Sequence, residues 1–388
     1  MSIANFNLSS LSSLSPFNDS DYGSLLNNNI STSSPLSTIA PIKDPGGTVN
    51  NSCPSNDTYL ESERWALGFV AMLVISFGVV ANVTSIRIFS HRVMSSSSIN
   101  WYLTVLSISD TFILISAFFV LSLPRFGEHV GYWSANYISY SVTPYMYPIM
   151  MTAQTCSVYM TIGVSVHRYI GVCHPYRSMQ WLPKGRVIAF IIGLIAFSVL
   201  FNSSRFFEVR VTRVCYRTDL HILLPLVEMT KLRSNDTYML VYNTWINMFI
   251  MYVIPFALLI ALNSRVLVEV KLSRQRYMAT QIGAETDEFS RRAERKERQT
   301  SIMLVSIVII FIACNTLSFV CNILEMVAVE NFILQYTVLC NNFLVIVNAS
   351  SNIFIYMLFS DKYRTLLQYY VVCSWSRKGE LLIEKSQA

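Results

Sequence analysis

Residues 99–123 read INWYLTVLSISDTFILISAFFVLSL, an apolar run interrupted by one charged side chain, Asp110. A helix needs about 20 such residues to cross a hydrocarbon core of about 30 Å, so this stretch is long enough to span a membrane. A carboxylate in the middle of such a helix is costly, and it persists where it faces a bundle interior and serves a function. The fold therefore depends on how many such runs the chain holds and which polar groups they turn towards Asp110.

Six more runs flank this one, at Trp65–Phe89, Tyr145–Val172, Arg186–Asn202, Met239–Val266, Ser301–Val327 and Phe332–Phe359. The run at Arg186–Asn202 is the shortest, about 17 residues, at the lower limit for a spanning helix. Composition agrees with a membrane protein: 53% of residues are apolar and 13% charged, against roughly 25% charged in soluble domains. Gly 13, Pro 12 and Cys 8 exclude collagen-like and disulfide-scaffold classes. The expected fold is all-α, a seven-transmembrane helix bundle over residues 65–359.

Residues 1–64 are Ser- and Asn-rich without apolar periodicity, which predicts a disordered tail. The start MSIANFNL lacks a basic segment and an apolar core, so no cleaved signal peptide is expected. Of the 29 Lys and Arg residues, nine precede the first run or lie in connections on its starting side: Lys43, Arg64, Arg125, Arg205, Arg210, Arg213, Arg217, Lys231 and Arg233. The richer side is cytoplasmic by the positive-inside rule, so the N-terminus is expected outside the cell and the C-terminus inside, at the plasma membrane. Asn-x-Ser/Thr acceptors at Asn7, Asn18, Asn29, Asn50, Asn56, Asn202 and Asn235 fall on that outer side and are candidate glycosylation sites.

Residues 360–388 follow the last run. Tyr363, Leu366, Leu367, Tyr370 and Val371 share one helical face there, which predicts a short helix lying in the membrane interface and contacting lipid. Cys373, next to it, is a palmitoylation candidate.

Asp110 has candidate interior neighbours in Asn82, Ser157, Asn315, Asn348 and Asn352. A carboxylate among hydroxyl and amide oxygens suits a small hard cation, so Asp110, Ser157, Asn348 and Asn352 form a candidate sodium site; no other cofactor is expected. His167, Arg168 and Tyr169 close the third run, where Arg168 can pair internally or meet a protein, with Glu297 as its candidate resting partner. RRAERKERQ, at 291–299, continues the sixth run as a basic helix facing a protein or anionic lipid. The five His, at 91, 129, 167, 174 and 221, all sit at run ends or in loops, which argues against a membrane-embedded enzyme. A transporter would show internal repeats or several buried charges, and neither is found. Nothing points to nucleic acid.

In order, Gly78 and Asn82, Leu106 to Asp110, Arg168 and Tyr169, Pro255, Phe311 and Cys314, and Asn348, Asn352 and Tyr356 resemble the marks of rhodopsin-like G-protein-coupled receptors from Trp65 to Cys373. AQTCSVYMT around Gln154, RYIGVCHP from Arg168, FNSSRFFEV around Arg205, IPFALLIALN from Ile254, CNTLSFVCNILE from Cys314 and NASSNIFIY from Asn348 are similar to invertebrate FMRFamide-type neuropeptide receptors. Several positions depart from the wider family. His167 stands for the usual acidic residue, Asn315 for the Trp of the sixth span, and Leu317 and Ile353 for prolines. Thr143 stands about where a Cys is usual, and no Cys lies between Ser98 and Thr155.

The resemblance implies a receptor for an extracellular amidated peptide ending in Arg-Phe, coupled to a heterotrimeric G protein, with arrestin and a receptor kinase as further partners. A chemosensory receptor for small molecules is the alternative within the family. Glu325 and Glu208 are then expected to meet the peptide Arg, and Tyr145, Tyr147 and Trp245 the peptide Phe. His167, Arg168, Tyr169, Glu297, Asn315, Asn352 and Tyr356 are expected to carry switching and coupling. Cys53 and Cys215 are expected to form a disulfide, with Cys340 as an alternative partner.

Overall fold

The computed structural model describes residues 59–217, 222–280, 288–326 and 331–373. Among the described residues, seven helices are long and apolar enough to cross a membrane: α1 Glu61–Ser90, α2 Ile99–Val130, α3 Trp133–Cys173, α4 Lys184–Phe207, α5 Asp236–Ser273, α6 Arg298–Leu324 and α7 Phe332–Phe359. A shorter helix, α8, covers Asp361–Cys373. Between α4 and α5 the chain forms an antiparallel hairpin of β1 (Val209–Arg217) and β2 (Ile222–Met229). The two ends of the bundle are named here for these elements, the hairpin end and the α8 end.

The all-α expectation omitted the hairpin. Its pairing runs from Val209 opposite Met229 to Arg217 opposite Ile222, with an irregularity between Val211 and Arg213. Alternating Val and Arg in VRVTRV is a strand signal that the neighbouring membrane runs overshadow. The expected start of the third run at Tyr145 was also late, because α3 continues back to Trp133 through Pro144. α4 likewise extends past Asn202 as a tighter 3₁₀ turn over Ser203–Phe207.

α3 is the axis of the bundle: 78% of its apolar window is buried, against 22% for α4. Small residues let its neighbours approach. A Cβ added at Gly163 would lie 2.7 Å from the ring of Tyr102 on α2, and one at Gly78 of α1 would lie 2.3 Å from Ser350 Oγ on α7. Beside Gly78, Asn82 Nδ2 donates to the Ala349 carbonyl at 2.8 Å, tying α1 to α7 across the core. Pro255 of α5 follows a π-helical stretch over Phe249–Val253. A proline lacks an N–H and clashes with the carbonyl four residues earlier, so a widened turn is the physical response. α6 and α7 carry no such proline, and each belongs to a continuous α-helix, Glu288–Met326 and Asn331–Phe359.

α8 packs back on the bundle. Tyr363 and Leu366 are buried, and Tyr363 lies 5.5 Å from Phe89 and 5.4 Å from Tyr356, ring centre to ring centre. Its hydroxyl and Ser85 Oγ are 2.7 Å apart, and burial pushes the phenol pKa up to about 12.

Candidate functional site

Asp110 lies at the middle of α2 and is 1% exposed. Ser157 Oγ of α3 donates to Oδ1 at 2.8 Å, and Asn352 Nδ2 of α7 donates to Oδ2 at 2.7 Å. One carboxylate thus ties three helices through two neutral donors. Asn348 is half-buried and gives its backbone carbonyl to Ser351 Oγ at 3.1 Å rather than its amide to Asp110. Of the expected neighbours, Ser157 and Asn352 are the two that hydrogen-bond to Asp110. Asn315 turns its amide onto the Phe311 carbonyl of its own helix at 2.8 Å.

At the α8 end a cleft of about 400 Å³ is bordered by His167, Arg168, Met303, Tyr356, Ser360 and Lys362, among others. His167 packs edge-on to Tyr102 at 5.9 Å, so the residue standing for an acid contacts an aromatic ring. Tyr169 places its hydroxyl 3.3 Å from His174 Nε2. The side chains of Glu297 and Cys373 lie outside the described residues.

The hairpin end holds a cluster that sequence reasoning did not assemble. Arg205, at the end of α4, is fully buried. Its Nε donates to Asn202 Oδ1 (3.0 Å), Nη1 to Tyr147 Oη (3.2 Å) and Asn243 Oδ1 (3.1 Å), and Nη2 to Asn247 Oδ1 (3.1 Å). Glu208, also fully buried, accepts from Arg233 Nη1 (2.5 Å) and Tyr147 Oη (3.4 Å) at Oε2, and from Tyr238 Oη (2.8 Å) at Oε1. Arg205 Nη1 stands 3.8 Å from the same carboxylate. Tyr147 therefore relays between cation and anion, accepting from one and donating to the other. The cluster joins α3, α4, α5 and the connection after β2 around one ion-pair network.

This geometry corrects two expectations. Glu208 has both carboxylate oxygens engaged inside the protein, so it is not open to a peptide guanidinium. Trp245 is 42% exposed among Val241, Phe249 and Val253, on the apolar outer side of α5, whereas Asn243 and Asn247 face the cluster. Tyr147 is buried and committed to the cluster, and Tyr145 is 65% exposed on α3. The backbone of Glu325 lies in the last turn of the helix ending at Met326; its side chain is outside the described residues.

Asn202 is a further correction. Its Nδ2, the atom a glycan would take, is buried and donates to Thr155 Oγ1 and the Ser198 carbonyl, both at 2.9 Å. Asn235 is exposed and caps the start of α5 through Oδ1, leaving its nitrogen outward. Asn7, Asn18, Asn29, Asn50, Asn56 and Cys53 lie outside the described residues, as does the side chain of Cys215. Cys340 is an exposed free thiol.

A second unanticipated contact pins the segment before α1. Arg125, buried at the end of α2, sits 4.4 Å over the Tyr59 ring and 3.4 Å from Glu63, while Tyr59 N donates to Glu128 at 3.2 Å. Burial raises the Tyr59 phenol well above its ordinary range, with the neighbouring Tyr140 adding to the effect.

The family model of the seven-transmembrane receptors of the rhodopsin family matches residues 81–356. This chain belongs to that family. It is a multi-pass membrane protein of a family of signalling receptors rather than enzymes. The FMRFamide receptor of Drosophila melanogaster is 32% identical over 332 residues, 83% of this chain. Two Caenorhabditis elegans proteins, a probable G-protein coupled receptor and an FMRFamide peptide receptor, are 27% and 28% identical over 81% and 79% of it. The matches span 57% of the fly receptor and 80% and 69% of the two nematode ones.

Proposed function

We propose that this receptor binds an extracellular, C-terminally amidated peptide of the Arg-Phe class at its hairpin end and signals to a heterotrimeric G protein at its α8 end. The observation that carries the reading is the similarity to an FMRFamide receptor over 83% of the chain. The Arg205–Glu208–Arg233 network supports it, because it holds the hairpin connection against α3 and α5 and so fixes the end at which a ligand would enter. A ligand shifts the balance of resting and active states only through its differential affinity for them. Glu325 remains the carboxylate for the peptide Arg and Tyr145 the candidate ring for the peptide Phe.

In this reading Asn235 lies outside, available for a glycan, and Arg168 and the cleft lie inside, facing the G protein. Arrestin and a receptor kinase would act on the same face, and Cys373 would carry a palmitate. The oxygens of Asp110 and Ser157 suit a sodium ion, although both carboxylate oxygens already accept hydrogen bonds, so an ion would compete with Ser157 and Asn352. Asp110 itself would hold α2, α3 and α7 together.

The test is to express the full chain in cells and apply amidated peptides beside their free acids, reading calcium and cyclic AMP. A sub-micromolar response confined to amidated Arg-Phe peptides supports the reading. Silence of a surface-expressed receptor to every peptide, with a response to small molecules, would replace it by the chemosensory alternative.

A further inference from the structure

α6 and α7 bury a set of neutral polar side chains at the hairpin end: Asn315, Ser318 and Asn322 on one helix, Asn341 and Asn342 on the other. The spacing of 315, 318 and 322 puts the first three on one helical face. Ser318 Oγ donates to Asn341 Oδ1, which fixes the relative height of the two helices. Asn322 spends its amide nitrogen on the Ser318 carbonyl of its own helix at 2.8 Å. Its Oδ1 is left with no hydrogen bond, although the residue is 1% exposed, and Asn342 Oδ1, also 1% exposed, accepts none either.

Two buried carbonyl oxygens without donors, on adjacent helices beside the Ser318–Asn341 link, need an explanation. Three other buried amides at this end, Asn202, Asn243 and Asn247, give their oxygens to Arg205. The missing donor has definite chemistry. It must supply N–H or O–H groups, and it is best uncharged, because the five residues include no carboxylate to balance a buried cation. A primary carboxamide has two N–H donors, one acceptor and no charge. A free carboxylate would set lone pairs against lone pairs.

We propose that Asn322 and Asn342 accept hydrogen bonds from the C-terminal primary carboxamide of the peptide, and so set the receptor's preference for amidated over free-acid ligands. This rests on the peptide reading above and adds which atoms of the ligand are recognised, and where. Asn322 lies one turn from the end of the helix at Met326, within reach of a ligand entering from the hairpin end.

The experiment uses the full receptor at the cell surface and the tetrapeptide Phe-Met-Arg-Phe as its primary amide, its dimethylamide and its free acid. Wild type should prefer the primary amide over both others by at least about 100-fold. Asn322→Leu and Asn342→Leu should each weaken the primary amide about tenfold or more, leave the dimethylamide unchanged, and so contract the ratio. Asn342→Asp keeps an acceptor and adds a negative charge, and should widen the discrimination against the free acid; it decides the matter if the Leu variants fail to reach the surface. An equal loss for all three peptides, or an unchanged ratio in surface-expressed variants, overturns the proposal while leaving the peptide reading intact. A wild type silent to all three overturns both.

Discussion

At the hairpin end three full charges, Arg205, Glu208 and Arg233, are buried together; in the middle of the bundle Asp110 is buried alone. The first set is balanced by mutual pairing and by three Asn oxygens turned onto one guanidinium, which removes most of the donors and acceptors a ligand might otherwise use. The second is held by a single serine hydroxyl and a single amide. Burying a charge costs several kcal/mol unless its surroundings replace water, so the dense network is built to stay closed. The sparse one can exchange its two neutral donors for another arrangement at small cost. On this view the hairpin end fixes the frame on which the ligand site is built, and the Asp110 node is the element that can move.

The largest effect should come from cutting the dense network. Glu208→Ala leaves two buried guanidinium groups without their carboxylate, and the loss should be about 3–5 kcal/mol, read as a fall in thermal stability of purified receptor and in surface expression. Arg233→Ala in the Glu208→Ala background should cost far less than in wild type, since the pair is already broken. Additive losses would show that the two residues do not act as a unit. Asn202→Ala comes next. It removes one acceptor from Arg205 and one donor to Thr155, for about 1–3 kcal/mol. No glycan should be lost, whereas Asn235→Gln should shift the glycosidase-sensitive band; a shift with Asn202 would place that nitrogen outside the bundle.

Much of this was legible in the sequence. Seven runs of membrane length and one deep carboxylate define the bundle, and Ser157 and Asn352 were rightly suspected as neighbours of Asp110, because polar groups in lipid seek each other. The charged cluster was not legible. Arg205 and Glu208 lie in a segment that reads as a loop, Arg233 follows a hairpin, and their shared burial depends on a packing that no periodicity announces. Long loops with several basic residues look solvent-exposed, so Glu208 seemed available when it was the most occupied carboxylate among those described. Trp245 was misplaced for the opposite reason: an aromatic near the outer mouth suggests a pocket, yet the Asn243 and Asn247 spacing assigns the inner face of α5 to the amides.

The sparse node should respond differently. Asp110→Asn exchanges the carboxyl for a neutral amide and keeps an acceptor for Ser157 or Asn352, so thermal stability should change by no more than about 1 kcal/mol in either direction. Function should change more than stability. Peptide affinity in wild type should depend on whether the medium holds sodium or choline, and that dependence should vanish in Asp110→Asn. A stability loss comparable to that of Glu208→Ala would mean that both sites are rigid, and the contrast between them would fail.

The smallest effect tests whether charge, rather than burial of polar groups in general, separates the two regions. Tyr363 on α8 and Ser85 on α1 form a buried link as long-range as those at the hairpin end, but neutral at both ends. With its pKa pushed up to about 12, the phenol stays protonated at every pH at which the receptor is handled. Tyr363→Phe deletes only the hydroxyl, because the ring keeps its packing against Phe89 and Tyr356 and Ser85 Oγ still donates to the Ala81 carbonyl at 2.9 Å. The cost should be about 0.5–1.5 kcal/mol, several-fold below the loss from Glu208→Ala. A loss as large as that of the charged cluster would show that the depth of a polar group in this bundle, and not its ionic state, sets its contribution to stability.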